Sequence, residues 1–253
     1  MDKVRASLPR GTPIEIWFQD EARIGQKNKI TRRWAKRGTR PSAPQDQRTA
    51  SAYIFGAICP QEGKAAGLVL PFCNTGTMNL HLAEIALHVA PGAHAVLRMD
   101  QAGWHLTPKL EVPANISIVA IPSTSPELNP QENVWQFMRD NWLSNRVFGS
   151  YDEIADNCCH ACNKLVEQPS RIMSIGLRAW ACGLGSMNLG IRDDFALCGE
   201  LAHSAISLFS KLFQWLDAQC SSPRHAAAHR IFVVPISPIS SVGPKGLAFE
   251  DTV

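Results

Sequence analysis

A chain of 253 residues, 45% apolar and 19% charged, has the composition of a globular protein with a sizeable core and not of a disordered polyelectrolyte. It has no apolar run near the roughly 20 residues a membrane-spanning helix needs, and MDKVRASLPRG has no signal-peptide core, so a cytoplasmic protein is expected. The net charge of +3 conceals a basic segment, Arg23–Arg48, in which nine Lys or Arg face the single acid Asp46. Such a concentration is the footprint of a polyanionic partner, although a solvated basic hairpin would carry the same charge.

Taken in chain order, Ile14–Asp20 (IEIWFQD) alternates and is rich in β-formers, so it reads as a strand. A second strand is expected around Lys29–Lys36, then Ala50–Ile58 and Gly67–Phe72 separated by the turn PQEGK, together an antiparallel meander. Apolar residues at helical spacing mark Thr77–Ala90, which Pro91-Gly92 stops. Ala93–Asp100 and the nearly continuous apolar run Asn115–Ile121 read as strands, the second of the buried kind found in parallel sheets. Helices are expected over Pro130–Leu143 and Tyr151–Val166. The whole predicts an α/β fold: a mixed sheet, antiparallel meander first and parallel strands after, flanked by helices.

A boundary is placed near residue 182, dividing a domain over 1–181 from an atypical extension over 182–253. That extension has one amphipathic stretch, Phe195–Leu216, and a Pro- and Ser-rich end; read-through past a lost stop codon, or poor order, is expected of it. The eight cysteines lack the spacing of a secreted disulfide scaffold. Cys159 and Cys162 form one C-x-x-C without the second pair a zinc site needs, so buried thiols on a helix are the expectation.

Three carboxylates stand in three kinds of place. Asp20 closes the first strand on the face of Ile14, Ile16 and Phe18, where a metal ion or a basic side chain would have to meet its charge unless it begins a turn. Asp100 ends a strand before the small-residue turn QAG, where ligands of such sheets gather and where turn-forming Asp is also common. Glu132 fits the third helical position of a capping box behind Asn129 and Pro130, which accounts for it without chemistry. Together, two strand-end acids and one acid on a helix's first turn make the hard-oxygen cluster that two Mg²⁺ or Mn²⁺ ions require for phosphodiester cleavage.

The strings WFQDEARIG, LRMDQAGWH and SPELNPQENVWQFMR, in that order, resemble the three acidic motifs of DDE transposases in the mariner-like branch of bacterial insertion sequences, over about Ile14–Trp180. The resemblance implies an RNase H-like fold and metal-dependent DNA strand cleavage and strand transfer in cut-and-paste transposition. It puts Asp20, Asp100 and Glu132 on the catalytic, metal-holding positions, with two Mg²⁺ or Mn²⁺ ions as cofactors. Double-stranded DNA, both element ends and target, is the implied partner, with self-association on DNA. Arg23, Lys27, Lys29, Arg32, Arg33, Lys36, Arg37, Arg40 and His105 are the expected DNA contacts.

The sequence departs from the family in three ways. Gln101 stands where the family usually has Asn, the Asp100–Glu132 spacing of 32 is slightly short, and the helix-turn-helix modules that usually come first are missing. A separate N-terminal recognition polypeptide is therefore expected, and the alternatives are a nuclease without strand transfer or an inactive remnant that binds DNA. Among nearby side chains, Glu21 is expected to be a solvated partner of Arg23 in preference to a fourth metal ligand, and His105 to touch DNA, to orient its turn or to be an ordinary loop histidine. Trp34 is expected to cover the core in preference to stacking on a base, and Trp135 to pack its helix onto the sheet.

Overall fold

β1 (Ile14–Gly25) is the central strand, and it runs five residues past the expected end at Asp20. The reason is a change of partner. Up to Phe18, β1 pairs in parallel with β4 (His94–Met99), and from Phe18 to Gly25 it pairs antiparallel with β2 (Ser51–Cys59). β3 (Lys64–Leu70) continues the meander, β5 (Ile116–Ala120) lies parallel to β4, and the two-residue β6 (Phe232–Val233) pairs antiparallel with β3. The order is β5-β4-β1-β2-β3-β6, the mixed sheet that the sequence leads one to expect.

The computed structural model describes residues 2–27, 34–39, 46–105, 107–123, 125–177 and 232–233. Of the strand expected over Lys29–Lys36, residues 34–36 are not in a strand and the rest lies outside the described residues. The stretch Phe195–Leu216, and the extension over 182–253 apart from β6, also lie outside them. No described helix is long and apolar enough to cross a membrane.

Both faces of the sheet are covered, which is why its strands are apolar nearly throughout. On one face Trp17, Phe55, Leu68 and Leu97 pack against Met78, Leu82 and Ile85 of α2 (Thr75–His88). Asn74 caps α2: its Oδ1 accepts from the Thr77 amide at 3.0 Å, and Thr77 Oγ1 accepts from the Asn74 amide at 2.9 Å. On the other face Ile16, Phe18, Ile54 and Ile58 meet α3 (Gln131–Met138), α4 (Tyr151–Val166) and α5 (Pro169–Gly176) through Trp135, Met138, Cys162 and Ile172. A short helix, α1 (Asp2–Ser7), precedes β1. The period-two split of Ile16 and Phe18 from Trp17 is thus realised, one set in each layer.

The helix expected over Pro130–Leu143 is instead α3 followed by a π-helical turn, Arg139–Leu143, which still buries Leu143. Cys158, Cys159 and Cys162 are buried, and burial pushes the Cys159 thiol up to about 12 and the other two upward as well. They are buried packing residues of α4, held as thiols, as the sequence leads one to expect.

Candidate active site

The parallel register brings two acids level. Ile14 pairs with His94 and Phe18 with Arg98, so continuing the same offset sets Asp20 beside Asp100. Asp20 is therefore inside β1 and not at its end, which corrects the expectation. What ends is its neighbour, because β4 stops at Met99 and leaves that flank of Asp20 open. On the other side Asp20 pairs with Gly56 of β2. A Cβ at Gly56 would collide with the Trp135 ring and lie 2.7 Å from Gln131 Nε2. The missing side chain lets Trp135 settle on the sheet, 2% exposed, and donate from Nε1 to Asp20 Oδ2 at 2.9 Å. Trp135 packs α3 onto the sheet as expected.

Glu132 does not do what local sequence offers. Pro130 occupies the N-cap of α3 with no side-chain capping bond. Asn129 is engaged elsewhere: its Nδ2 donates to the Gln19 carbonyl at 2.9 Å and its Oδ1 accepts from the Gln131 amide at 3.2 Å. The capping box is absent, and Asn129 instead ties the start of α3 to β1. Glu132 is left exposed at the mouth of an open cleft of about 340 Å³ lined by Asp20, Asp100, Gln101, Ser125, Asn129 and Glu132.

Burial, then the charges of Glu132 and Glu21, push the Asp20 carboxyl up to about 7, and the Trp135 hydrogen bond only partly opposes this. A half-buried carboxylate among other acids is short of positive charge, and hard carboxylate oxygens are the donors that Mg²⁺ or Mn²⁺ takes. Asp20, Asp100 and Glu132 are the residues of the cleft that fit such ions. As they stand, no three His, Cys, Asp or Glu side chains among the described residues are gathered closely enough to hold one.

Asp100 is turned toward His105. Its Oδ1 lies 2.7 Å from His105 Nδ1 and accepts from the Ala102 amide at 3.0 Å. The far ring nitrogen, Nε2, lies 2.8 Å from Glu21 Oε1. Two expectations are corrected here. The His105 side chain is 1% exposed with both nitrogens engaged, so it orients the turn after β4 and has no surface for DNA. Glu21 is no solvated partner of Arg23: it is 9% exposed and accepts also from Gln19 Nε2 at 3.1 Å and Trp104 Nε1 at 3.4 Å. Gln101 donates from Nε2 to the Ile121 carbonyl at 2.9 Å, holding the same turn to the end of β5.

Of the expected DNA contacts, Arg23, Lys27, Lys36 and Arg37 are exposed, while Lys29, Arg32, Arg33 and Arg40 lie outside the described residues. Arg23 donates from Nε to Ser51 Oγ at 3.1 Å. Arg48 is taken up by Asp46 at 2.6 Å and by the carbonyl of Phe148 at 2.8 Å. Trp34 covers no core among the described residues; it is fully exposed, near Lys36 and Arg37 in the chain.

A family described as DDE superfamily endonuclease matches residues 15–155. The uncharacterized protein y4pE/y4sA of Sinorhizobium fredii (strain NBRC 101917 / NGR234) is 68% identical over 130 residues, which cover 51% of this chain and 96% of that protein. Among solved structures, the Mos1 strand transfer complex aligns with a TM-score of 0.44 and 16% identity over 65% of this chain and 55% of that one. The Mos1 mariner paired end complex with Mn gives 0.44 and 16%, over 65% and 56%. The chain spans about half the length of the Mos1 chains it matches.

Proposed function

The chain belongs to the DDE superfamily endonucleases, and we propose from this that it is the catalytic domain of a transposase, cutting DNA strands and joining the freed 3′-hydroxyl to target DNA in cut-and-paste transposition. The observation that carries the proposal is the meeting of Asp20, Asp100 and Glu132, from β1, the end of β4 and the start of α3, around one cleft in which Asp20 is short of positive charge. These three acids would hold two Mg²⁺ or Mn²⁺ ions, which when bound supply nucleophile activation and charge neutralisation at the leaving oxygen.

The protein's own contribution is placement. Trp135 fixes one Asp20 oxygen, Asn129 fixes α3 against β1, and His105 holds one oxygen of the half-exposed Asp100 carboxylate. Hydrogen-bonded ligands of this kind keep a metal site in shape before the ion arrives. Arg23, Lys27, Lys29, Arg32, Arg33, Lys36, Arg37 and Arg40 would carry the DNA backbone, with double-stranded DNA as partner.

The test is a product assay with Mn²⁺, a labelled duplex bearing a free 3′-hydroxyl and a supercoiled plasmid. Joined products lost in Asp20→Ala, Asp100→Ala and Glu132→Ala support a transposase. Cleavage without joining means a nuclease of the same fold. Activity that survives Asp100→Ala would sink the assignment of the site.

A further inference from the structure

A second cleft, of about 440 Å³, lies between the far end of β1 and the far end of α3, lined by Arg23, Lys27, Thr49, Gln136, Arg139 and Ser144. Ile24 and Leu143 give it an apolar floor, and no carboxylate lines it. Arg23, Lys27 and Arg139 form no ion pair among the described residues. Asp140, beside Arg139 in sequence, accepts from Gln136 Nε2 with both oxygens at 2.9 Å. Arg139 is half-buried, so a guanidinium is partly desolvated there without an acid to compensate it.

The cleft continues the acid cleft along its helix wall. On β1, Ile24 follows Asp20 by four residues on the same face, about 13 Å at strand rise, whereas Arg23, three residues on, has its side chain on the other face beside Ser51 and meets the cleft only at its edge. On the helix, Gln136 and Arg139 follow Glu132 by four and seven residues, about 6 and 10 Å, on the same side. A DNA strand advances about 3.4 Å per nucleotide along the duplex axis, so this distance is about three steps. Guanidinium forks match phosphate oxygens in pairs, and an apolar floor suits a sugar face.

We propose that this cleft binds the phosphates flanking the cut, with Arg139 as the main contact and Arg23 and Lys27 at its edge. The proposal rests on the reading of the acids as the cutting site, but its test does not use cutting. Anisotropy of a short labelled duplex, without metal, is followed across a salt series for the parent, Arg139→Ala, Arg139→Lys, Arg23→Ala and the remote control Lys109→Ala. Arg139→Ala and Arg23→Ala should each weaken binding about 3–10-fold and lower the slope of log K against log salt by about 0.9 per lost phosphate contact. Arg139→Lys should keep the slope, since it keeps the charge, and thermal melts check that each variant is folded. An Arg139→Ala slope and affinity equal to those of Lys109→Ala, or no duplex binding by the parent, overturns the proposal. If the slopes behave as expected and the strand-transfer assay fails, the cleft stands as a DNA site and the reading of the acids falls.

Discussion

His105 stands between two carboxylates, its Nδ1 2.7 Å from Asp100 Oδ1 and its Nε2 2.8 Å from Glu21 Oε1. With a carboxylate oxygen at each nitrogen, the doubly donating imidazolium is the form this arrangement favours. Burial of the ring opposes that charge, but the hydrogen bond and charge of Glu21, together with Asp100, outweigh it and hold the pKa above its ordinary value. A raised histidine pKa stabilises fully below the unfolded value of about 6.5 and loses that contribution as pH rises through the folded value. Thermal unfolding of the parent and His105→Gln should therefore differ most near pH 6 and converge toward pH 9, by about 1 kcal/mol given the exposed Asp100 carboxylate. A difference independent of pH would mean that the ring is neutral.

Asp20 carries the opposite sign. Its folded pKa, about 7 against an ordinary 3.8, penalises ionisation, so this group's contribution to stability falls as pH rises across that interval and stays low above it. Asp20→Asn keeps an acceptor for Trp135 Nε1 and removes the charge. The metal-free variant should be more stable than the parent by roughly 1–3 kcal/mol near pH 8 and equal to it near pH 4, measured by urea unfolding. On the proposal that Asp20 is a metal ligand, Mn²⁺ has to displace the same proton, so calorimetry should show parent affinity climbing as pH approaches 7, with proton release, and levelling above it. A flat pH profile, or binding retained by Asp20→Asn, would contradict this account.

The layer structure was legible because period-two alternation in Ile14–Phe18 leaves a direct trace, and so was the order of antiparallel and parallel strands. The end of β1 was not, although Ala22 and Ile24 keep the parity of Phe18, because two adjacent acids read as a turn. The roles of Glu21 and His105 depend on a pairing 84 residues apart, which local sequence does not record. Asn129 looked like a cap since nothing local competes for its side chain, yet the Gln19 carbonyl, 110 residues away, takes it. Trp34 suggests the core by residue type alone, whereas among the described residues it stands fully exposed.

Gly56 connects packing to the site. An alanine there would clash with the Trp135 ring, which is wedged at 2% exposure and has little room to move aside. Gly56→Ala should cost about 1–3 kcal/mol by overpacking and shift Trp135 off Asp20. The sharper readout is Trp135 indole N–H chemical shift, since loss of the Asp20 bond moves it whether or not stability changes. An unchanged resonance in a folded Gly56→Ala protein would show that β2 yields instead of the ring.

Glu15 tests whether an acid on the same strand can be structural. It is 6% exposed, and it accepts from Trp17 Nε1 at 2.8 Å, Lys64 Nζ at 2.6 Å and the Ala90 amide at 3.0 Å. Unlike Asp20 it has its cation, five residues away from the cleft at the other end of β1. Lys64→Met would leave a buried carboxylate with only two neutral donors, a loss of about 2–3 kcal/mol with the partly exposed lysine head group at the lower end of the range for such pairs. Adding Glu15→Gln should recover much of that loss, because the uncompensated charge and not the missing bond dominates it. Urea unfolding of the two single variants and the double closes the cycle, while Mn²⁺ affinity should stay at the parent value in all three. A change in metal binding would make Glu15 part of the acid cluster, and single losses that simply add would make the Lys64 pair too weak to matter.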